Sequence, residues 1–145
     1  MSGPVWIVDD EPLIRAAMVA VLEEVGHAAE GFDTAEALYT RLVDGGTKPA
    51  LLILDHMLPD ENGAQVVRSL RERPQYRDIP ILFCTAVGDE DAERLADLAP
   101  VIRKPFDFRE LVDFVEQLLP HDEAADQATD TSGPATDGDA TAPTA

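Results

Sequence analysis

Five short strand-like segments, each followed by a stretch with helical periodicity, constrain the fold of this chain more than any other feature. These segments are Val5–Val8, His27–Phe32, Leu51–Leu54, Ile79–Cys84 and Pro100–Arg103. Leu51–Leu54 is apolar at every position, which is typical of a strand buried on both faces. Short buried strands that alternate with amphipathic helices predict a parallel sheet with helices on both sides.

The connections between these segments narrow the topology. Crossovers between parallel strands are right-handed, and the order 2-1-3-4-5 is the expected one for five such units. We therefore predict an α/β fold, a flavodoxin-like (βα)5 three-layer sandwich. The patterns Asp33-x-x-Glu36 and Asp107-x-x-Glu110 match the capping box, so Asp33 and Asp107 are the predicted N-caps of the second and last helices.

Composition divides the chain into two parts. Residues 1–120 form one predicted domain, whereas residues 121–145 contain no Val, Ile, Leu, Met or aromatic residue and are predicted to be a disordered acidic tail. The formal net charge is −18, of which residues 1–120, with 23 acidic and 11 basic side chains, contribute −12. This charge argues against nucleic acid and anionic membrane surfaces as partners.

Three features of the sequence indicate the cellular compartment of the protein. Cys84 is the only cysteine, which excludes an internal disulfide. The first residues lack the basic flank and apolar run of a signal peptide, and no apolar stretch approaches the length of a membrane span. We therefore expect a soluble, cytoplasmic protein.

Polar side chains follow four of the predicted strands. Asp9 and Asp10 follow the first strand, Asp55 the third, Thr85 the fourth and Lys104 the fifth. Because the C-terminal ends of parallel strands share one edge of the sheet, these side chains are predicted to meet in one crevice. Three carboxylates repel one another there, and a divalent cation relieves that repulsion. Oxygen ligands without His or Cys favour Mg²⁺ or Mn²⁺.

The same crevice is suited to phosphoryl transfer. Carboxylates are nucleophiles in aspartyl-phosphate chemistry, so Asp55 is the candidate that attacks phosphorus. Lys104 would pair with one phosphoryl oxygen, and the Thr85 hydroxyl would donate to another. Phosphoryl transfer depends mainly on positioning and on charge neutralisation, which these groups supply.

Together these motifs resemble the receiver domains of bacterial two-component response regulators, over about residues 4–119. The matching motifs are, in chain order, Val8-Asp9-Asp10-Glu11, Asp55-x-Met57-x-Pro59, Asn62-Gly63, Thr85-Ala86 and Lys104-Pro105-Phe106. The resemblance implies that Asp55 is the phosphoacceptor. It also implies that Mg²⁺ is held by Asp10, Asp55 and the backbone carbonyl of Met57. Asp9 would act through a metal-bound water, and Thr85 and Lys104 would sense the phosphoryl group.

Partners and output are implied by the same resemblance. Family members take phosphate from a histidine kinase or a histidine phosphotransfer protein and then shift between two conformations. The outward apolar residues of the first helix, Ala16 and Val19 among them, are a predicted docking surface for such a donor. An output protein, not identified by the sequence, would bind the switched form. Beyond its own phosphorylation and dephosphorylation, the chain is not expected to be an enzyme.

Two departures from the family pattern affect the predicted output face. Val101 stands three residues before Lys104, where family members usually carry a Tyr or Phe that rotates during switching. The segment between Thr85 and Lys104 is also short by a few residues. Our hypothesis is that Thr85 still moves toward phosphate, but that the signal leaves through the segment Asp89–Leu98.

Three alternatives remain open at this stage. The chain could be a receiver fragment of a hybrid histidine kinase, with the tail as a linker. An aspartate-nucleophile phosphatase of the haloacid dehalogenase type needs a second acid two residues after the nucleophile, where Met57 stands here. A flavin-binding protein needs a phosphate-cradling first loop, whereas Asp9-Asp10-Glu11 would repel phosphate.

Overall fold

The computed structural model of the protein describes residues 3–119 and contains five strands and five helices that alternate along the chain. The elements are β1 (Val5–Val8), α1 (Pro12–Glu24), β2 (Ala29–Phe32), α2 (Ala35–Gly45), β3 (Leu51–Leu54), α3 (Gly63–Arg71), β4 (Ile81–Thr85), α4 (Asp89–Ala96), β5 (Val101–Arg103) and α5 (Phe108–Leu118). All five strands pair in parallel in the order β2-β1-β3-β4-β5, which confirms the predicted topology.

Two apolar layers, one on each face of the sheet, explain why β3 is apolar throughout. Leu52 and Leu54 pack into the layer that contains α2, α3 and α4, whereas Leu51 and Ile53 pack into the layer that contains α1 and α5. Successive side chains of a strand point to opposite faces, so a strand covered on both sides needs an apolar residue at every position. The three-layer sandwich is therefore confirmed.

The start of β4 differs from its prediction. The strand begins at Ile81 rather than Ile79, because the amide of Ile79 donates to the carbonyl of Tyr76 in the preceding turn. Pro80 has no amide hydrogen to add to a sheet ladder, although its carbonyl accepts from Leu52. The strand extends instead to Thr85, which places that residue at the last paired position.

The start of α2 also differs, because Asp33 is not its N-cap. Thr34 has the extended backbone of a cap, and its hydroxyl accepts from the amide of Ala37 at 3.0 Å. The Asp60 carboxylate, from the loop after β3, accepts from the amides of Ala35 and Glu36 at 3.1 and 2.9 Å. The first amides of α2 are thus satisfied from outside the helix as well as from Thr34. Asp107 is the N-cap of α5, as predicted, and accepts from the amide of Arg109.

The predicted tail, residues 121–145, lies outside the described residues. Within residues 3–119, no helix is both long and apolar enough to pass through a bilayer.

Candidate functional site

The sheet ladder continues one residue beyond three strands and fixes the residues that follow them. The Asp9 amide donates to the Phe32 carbonyl at 3.0 Å, and the Asp55 amide donates to the Val8 carbonyl at 2.9 Å. The Lys104 amide donates to the Thr85 carbonyl at 2.9 Å. These bonds hold the backbones of Asp9, Asp55 and Lys104 at one edge of the sheet, as the sequence predicted.

The Lys104 ammonium lies among the carboxylates. Its Nζ atom donates to Asp9 Oδ2 at 2.7 Å, to Glu11 Oε1 at 3.1 Å and to Asp55 Oδ2 at 3.3 Å. The side chains of Asp9 and Asp55 are only 1% and 7% exposed, so both charges are largely removed from water. One cation therefore faces three carboxylates, and with Asp10 the site carries an excess of negative charge.

Burial and charge shift the pKa values of Asp9 and Lys104. Burial raises the pKa of Asp9, although hydrogen bonds from Lys104 and from the Glu11 amide and the charge of Lys104 act in the opposite direction. For Lys104, burial alone would lower the pKa, but its hydrogen bonds to Asp9 and Glu11 and the charges of Asp55 and Asp9 outweigh that effect and raise it. The ammonium is thus held in its charged form by the carboxylates around it.

A tight loop after β3 orients Asp55. Its Oδ1 atom accepts from the amide of Met57 at 3.2 Å, and Met57 forms an isolated antiparallel bridge with Asn62. Gly63 closes the loop, its amide donating to the His56 carbonyl at 2.8 Å. A Cβ atom at Gly63 would lie 2.8 Å from the Asp55 carbonyl oxygen and 2.9 Å from His56 Cα, so the close approach of the two chain segments requires glycine.

The side chains of the site fit a small divalent cation. Asp9, Asp10 and Asp55 each offer a carboxylate oxygen, and these oxygens lie within 4.8 Å of one another. That spacing is close to the width of a Mg²⁺ coordination sphere, roughly 4 Å across at the usual metal–oxygen distance. Asp10 is exposed and borders a cavity of about 410 Å³ that Met57, Val87 and Asp91 also line. The all-oxygen donor set favours Mg²⁺ or Mn²⁺ over softer metals.

Thr85 lies beside this cluster, but its hydroxyl is not part of the hydrogen-bond network of the described residues. The side chain is fully buried, and its hydroxyl has no hydrogen-bond partner among the described residues. A buried hydroxyl without a partner costs free energy, of the order of 1–3 kcal/mol. The hydroxyl thus has hydrogen-bonding capacity that the described residues leave unused.

Two contacts at the site were not predicted from the sequence. Glu11 contributes a third carboxylate to Lys104, and the Arg15 guanidinium donates to the Asp9 carbonyl at 2.7 Å. Glu11 follows the two aspartates directly, which was a usable signal. Arg15 lies in the first turns of α1 and reaches back beyond the start of that helix to Asp9. This contact therefore depends on where the helix begins.

Comparison with known proteins identifies the family. A family model described as the response regulator receiver domain matches residues 5–116. The chain belongs to the receiver-domain family of response regulators. It is 37% identical over 120 residues to the phosphate regulon transcriptional regulatory protein PhoB of Pseudomonas aeruginosa, covering 79% of this chain and 51% of that protein. It is 33% identical over 138 residues to the response regulator Rre1 of Synechocystis, covering 88% and 57% respectively.

The chain spans about half the length of these curated relatives. Among solved structures, the receiver domain of a histidine kinase from Syntrophus aciditrophicus matches with a TM-score of 0.73 and 29% identity, covering 81% of this chain and 90% of that one. The chemotaxis response regulator CheY4 of Vibrio cholerae has the same fold, with a TM-score of 0.73 and 22% identity over 82% of this chain and all of that one.

In this receiver domain, the residue three positions before Lys104 is a packed aliphatic one. Val101 is half-buried against the apolar layer that includes Val87, Leu95 and Ala99. It pairs with Phe83 in the sheet. A valine in this environment has no hydroxyl with which to form a new hydrogen bond and no ring to move between two environments.

Proposed function

We propose that this receiver domain is a phosphorylation switch whose acceptor is Asp55. The arrangement of Lys104 at 3.3 Å from a nearly buried Asp55 carboxylate is the observation that carries the proposal. An oxygen of Asp55 attacks phosphorus, the bond from phosphorus to the donor's histidine nitrogen breaks, and the imidazole leaves with the electron pair. Asp55 becomes an aspartyl phosphate.

The residues that would hold the metal ion follow from the carboxylate cluster. Asp10, Asp55 and the backbone carbonyl of Met57 would contact Mg²⁺ or Mn²⁺ directly, and Asp9 would act through a water. When bound, the ion supplies the positive charge that lets anionic side chains and an incoming phosphoryl group share one site. Exposed Asp10 lies at the mouth of the crevice, where such an ion would enter.

Lys104 and Thr85 are assigned to the phosphorylated state. On phosphorylation, the ammonium can exchange one of its present carboxylate partners for a phosphoryl oxygen. The Thr85 hydroxyl, which has no hydrogen-bond partner among the described residues, would gain one by turning toward the same group. Both changes exist only after transfer, so they can stabilise a second conformation of the domain.

Thr85→Val tests whether this hydroxyl transmits the signal. Replacing an unpartnered buried hydroxyl by a methyl group should raise the free energy of unfolding by about 1 kcal/mol. The same change should shrink the amide shifts that a phosphate mimic with Mg²⁺ produces in residues 86–103. The exposed Thr40, changed to Val, is the control and should alter neither measurement. A silent region 86–103 in the wild-type domain would contradict the proposed route through Asp89–Leu98.

The partners proposed for this domain are a phosphohistidine donor and an output protein. The donor is a histidine kinase or a histidine phosphotransfer protein, and its proposed docking surface is the outer face of α1. Leu13 is 86% exposed there, and Pro12, Ala16 and Ala20 are exposed beside it. Exposed apolar surface next to a reactive carboxylate is suited to a transient protein contact. We place the output contact at the face around Val101 and α4.

Ala16→Glu separates docking from chemistry. A carboxylate on the outer face of α1 should slow transfer from a phosphorylated histidine phosphotransfer protein about tenfold, because it places a charge in an apolar contact. Uptake from acetyl phosphate, which needs no docking surface, should be unchanged. Ala96→Glu on the exposed end of α4 is the matched control and should leave both rates as they are. Equal slowing of both reactions would count against the docking surface.

A further inference from the structure

A cluster of cations lies at the edge of the sheet opposite Asp55. We call it the basic end and define it as Lys48 together with residues 68–78. It carries five of the 11 Lys and Arg residues of the chain and two acids, for a net charge of +3. The other residues of 1–120 carry six basic and 21 acidic side chains, a net charge of −15. Positive charge is therefore concentrated in one place on a strongly acidic domain.

Within the described residues, none of these five cations forms an ion pair. By contrast, Arg41, Arg94, Arg103 and Lys104 each lie within 4.0 Å of a carboxylate. Lys48 donates to the Gln75 carbonyl, and Arg71 donates to the carbonyls of residues 77 and 79. Arg68, Arg73 and Arg77 are exposed. The basic end thus presents cations that have no anionic partner between residues 3 and 119.

A groove between α2 and α3 adjoins these cations. It has a volume of about 550 Å³, and its lining includes Leu42, Val43, Leu70, Arg73 and Tyr76. Val43 is 74% exposed, so the groove is open to solvent along α2. A ligand that lies in it meets apolar side chains, the guanidinium of Arg73 and the carboxylate of Glu61, which accepts from the Tyr39 hydroxyl. Small side chains fit beside the apolar residues, and an acidic side chain can pair with Arg73.

The chain itself contains such a peptide. Residues 121–145 contain six acidic residues and no Lys or Arg, and their other residues are mostly Ala, Thr, Gly and Pro. The acidic residues are Asp122, Glu123, Asp126, Asp130, Asp137 and Asp139. We propose that this acidic segment binds intramolecularly to the basic end, with its backbone along the groove between α2 and α3.

Topology places the two parts within reach of each other. α5 runs back from the edge that holds Lys104, so Leu118 lies at the edge where the strands begin. α3 ends at that same edge, at Arg71. α5 and α3 cover opposite faces of the sheet, and helical layers on two faces are roughly 20 Å apart, at about 10 Å per packed layer. The 26 residues from 120 onward span up to ~80 Å when extended, which is ample.

Electrostatics and tethering supply the affinity. A short tether holds the acidic segment at an effective concentration in the millimolar range near the basic end. Attraction between exposed charges is strong at low salt and weakens when the screening length falls below their separation. The contact is therefore weak, reversible and sensitive to salt. An acidic partner protein that approached this end would have to displace the segment.

Paramagnetic broadening in the full-length chain tests the contact. Thr136→Cys provides a site for a nitroxide label within the acidic segment. The native Cys84 is 1% exposed, and burial raises the pKa of its thiol to about 12, so labelling is selective. At about 10 mM salt, amide signals of residues 70–77 should lose about half their intensity, while those around Asp55 keep theirs. At ~0.5 M salt, where the screening length is about 4 Å, the loss should disappear.

Two charge variants of the labelled chain sharpen the test. Arg77→Glu should reduce the broadening at residues 70–77 at least about twofold, since it reverses one exposed cation. Arg109→Glu makes the same change of net charge on α5, at an exposed arginine that forms no ion pair with another described residue, and should leave the broadening unchanged. Broadening that is spread over the whole surface, or equally altered by both variants, would overturn the proposal.

A mixing experiment tests whether the acidic segment at the basic end belongs to the same molecule or to a second copy. Spin-labelled chain without ¹⁵N is combined with ¹⁵N-labelled chain that carries no spin label, so that only contacts between molecules cause broadening. An intramolecular contact predicts no broadening in this mixture. Strong broadening at residues 70–77 would identify the segment of a second copy as the occupant and would overturn the intramolecular assignment.

Discussion

Asp55→Asn should take up no phosphoryl group from acetyl phosphate and Mg²⁺ under conditions in which the wild-type chain gains one. A carboxamide oxygen is a far weaker nucleophile than a carboxylate oxygen, so the rate should fall at least about a hundredfold. Asn retains an oxygen that can accept from the Met57 amide, as Asp55 does at 3.2 Å. The loop should therefore keep its shape. Intact mass spectrometry measures the gain directly.

Two controls accompany this substitution. Asp91→Asn removes an exposed carboxylate that lines the cavity beside Asp10 and should leave the mass gain unchanged. Chelation of Mg²⁺ should abolish the gain in the wild-type chain, because the carboxylate cluster would then repel the incoming phosphoryl group. Thermal unfolding verifies that each variant is folded. A full gain in Asp55→Asn would place the acceptor elsewhere and remove the basis of the proposed switch.

The sequence predicted the sheet well because composition and topology both constrain each inner strand. An inner strand such as β3 must be apolar on both faces, and a right-handed crossover restricts which strand can lie beside it. The convergence of Asp9, Asp55 and Lys104 followed from the same topology, since all strand ends share one edge. This part of the site is set by the order of elements along the chain.

The features that the sequence did not predict are contacts between segments that are distant along the chain. Asp33 matches a local capping pattern, but Asp60, 24 residues or more away from its partners, reaches the first amides of α2. Burial alone would raise the pKa of its carboxyl group, but the hydrogen bonds from the amides of Glu36, Ala35 and Asp60 itself together outweigh that effect and lower it. The Asp60 contact needs the fold itself before it can be inferred. The carboxylate of Glu11 shares Lys104 with Asp9 because the loops after β1 and β5 meet at one edge of the sheet, so its place directly after the two aspartates was a usable signal.

Lys104→Met should lower the free energy of unfolding by about 3–5 kcal/mol in the absence of divalent metal. Removing one member of a buried ionic cluster leaves the others without compensation, and that cost is of this size. Asp9 is 1% exposed and Asp55 is 7% exposed, so water cannot take over the role of the ammonium. Lys48→Met is the matched control. Its ammonium is exposed and contacts only a backbone carbonyl among the described residues, so its effect should stay within about 0.5 kcal/mol.

Mg²⁺ should narrow the difference between Lys104→Met and the wild-type domain. A ligand that binds only the folded state stabilises it by mass action, and the variant presents more uncompensated negative charge to the ion. Urea unfolding at a series of Mg²⁺ concentrations therefore should show a larger stabilisation of the variant than of the wild type. The variant should still lack the amide shifts that a phosphate mimic produces, because no ammonium from β5 meets the phosphoryl oxygens. If Lys104→Met were as stable as the wild type without metal, Lys104 would not be the group that offsets the repulsion between the Asp9 and Asp55 carboxyl groups.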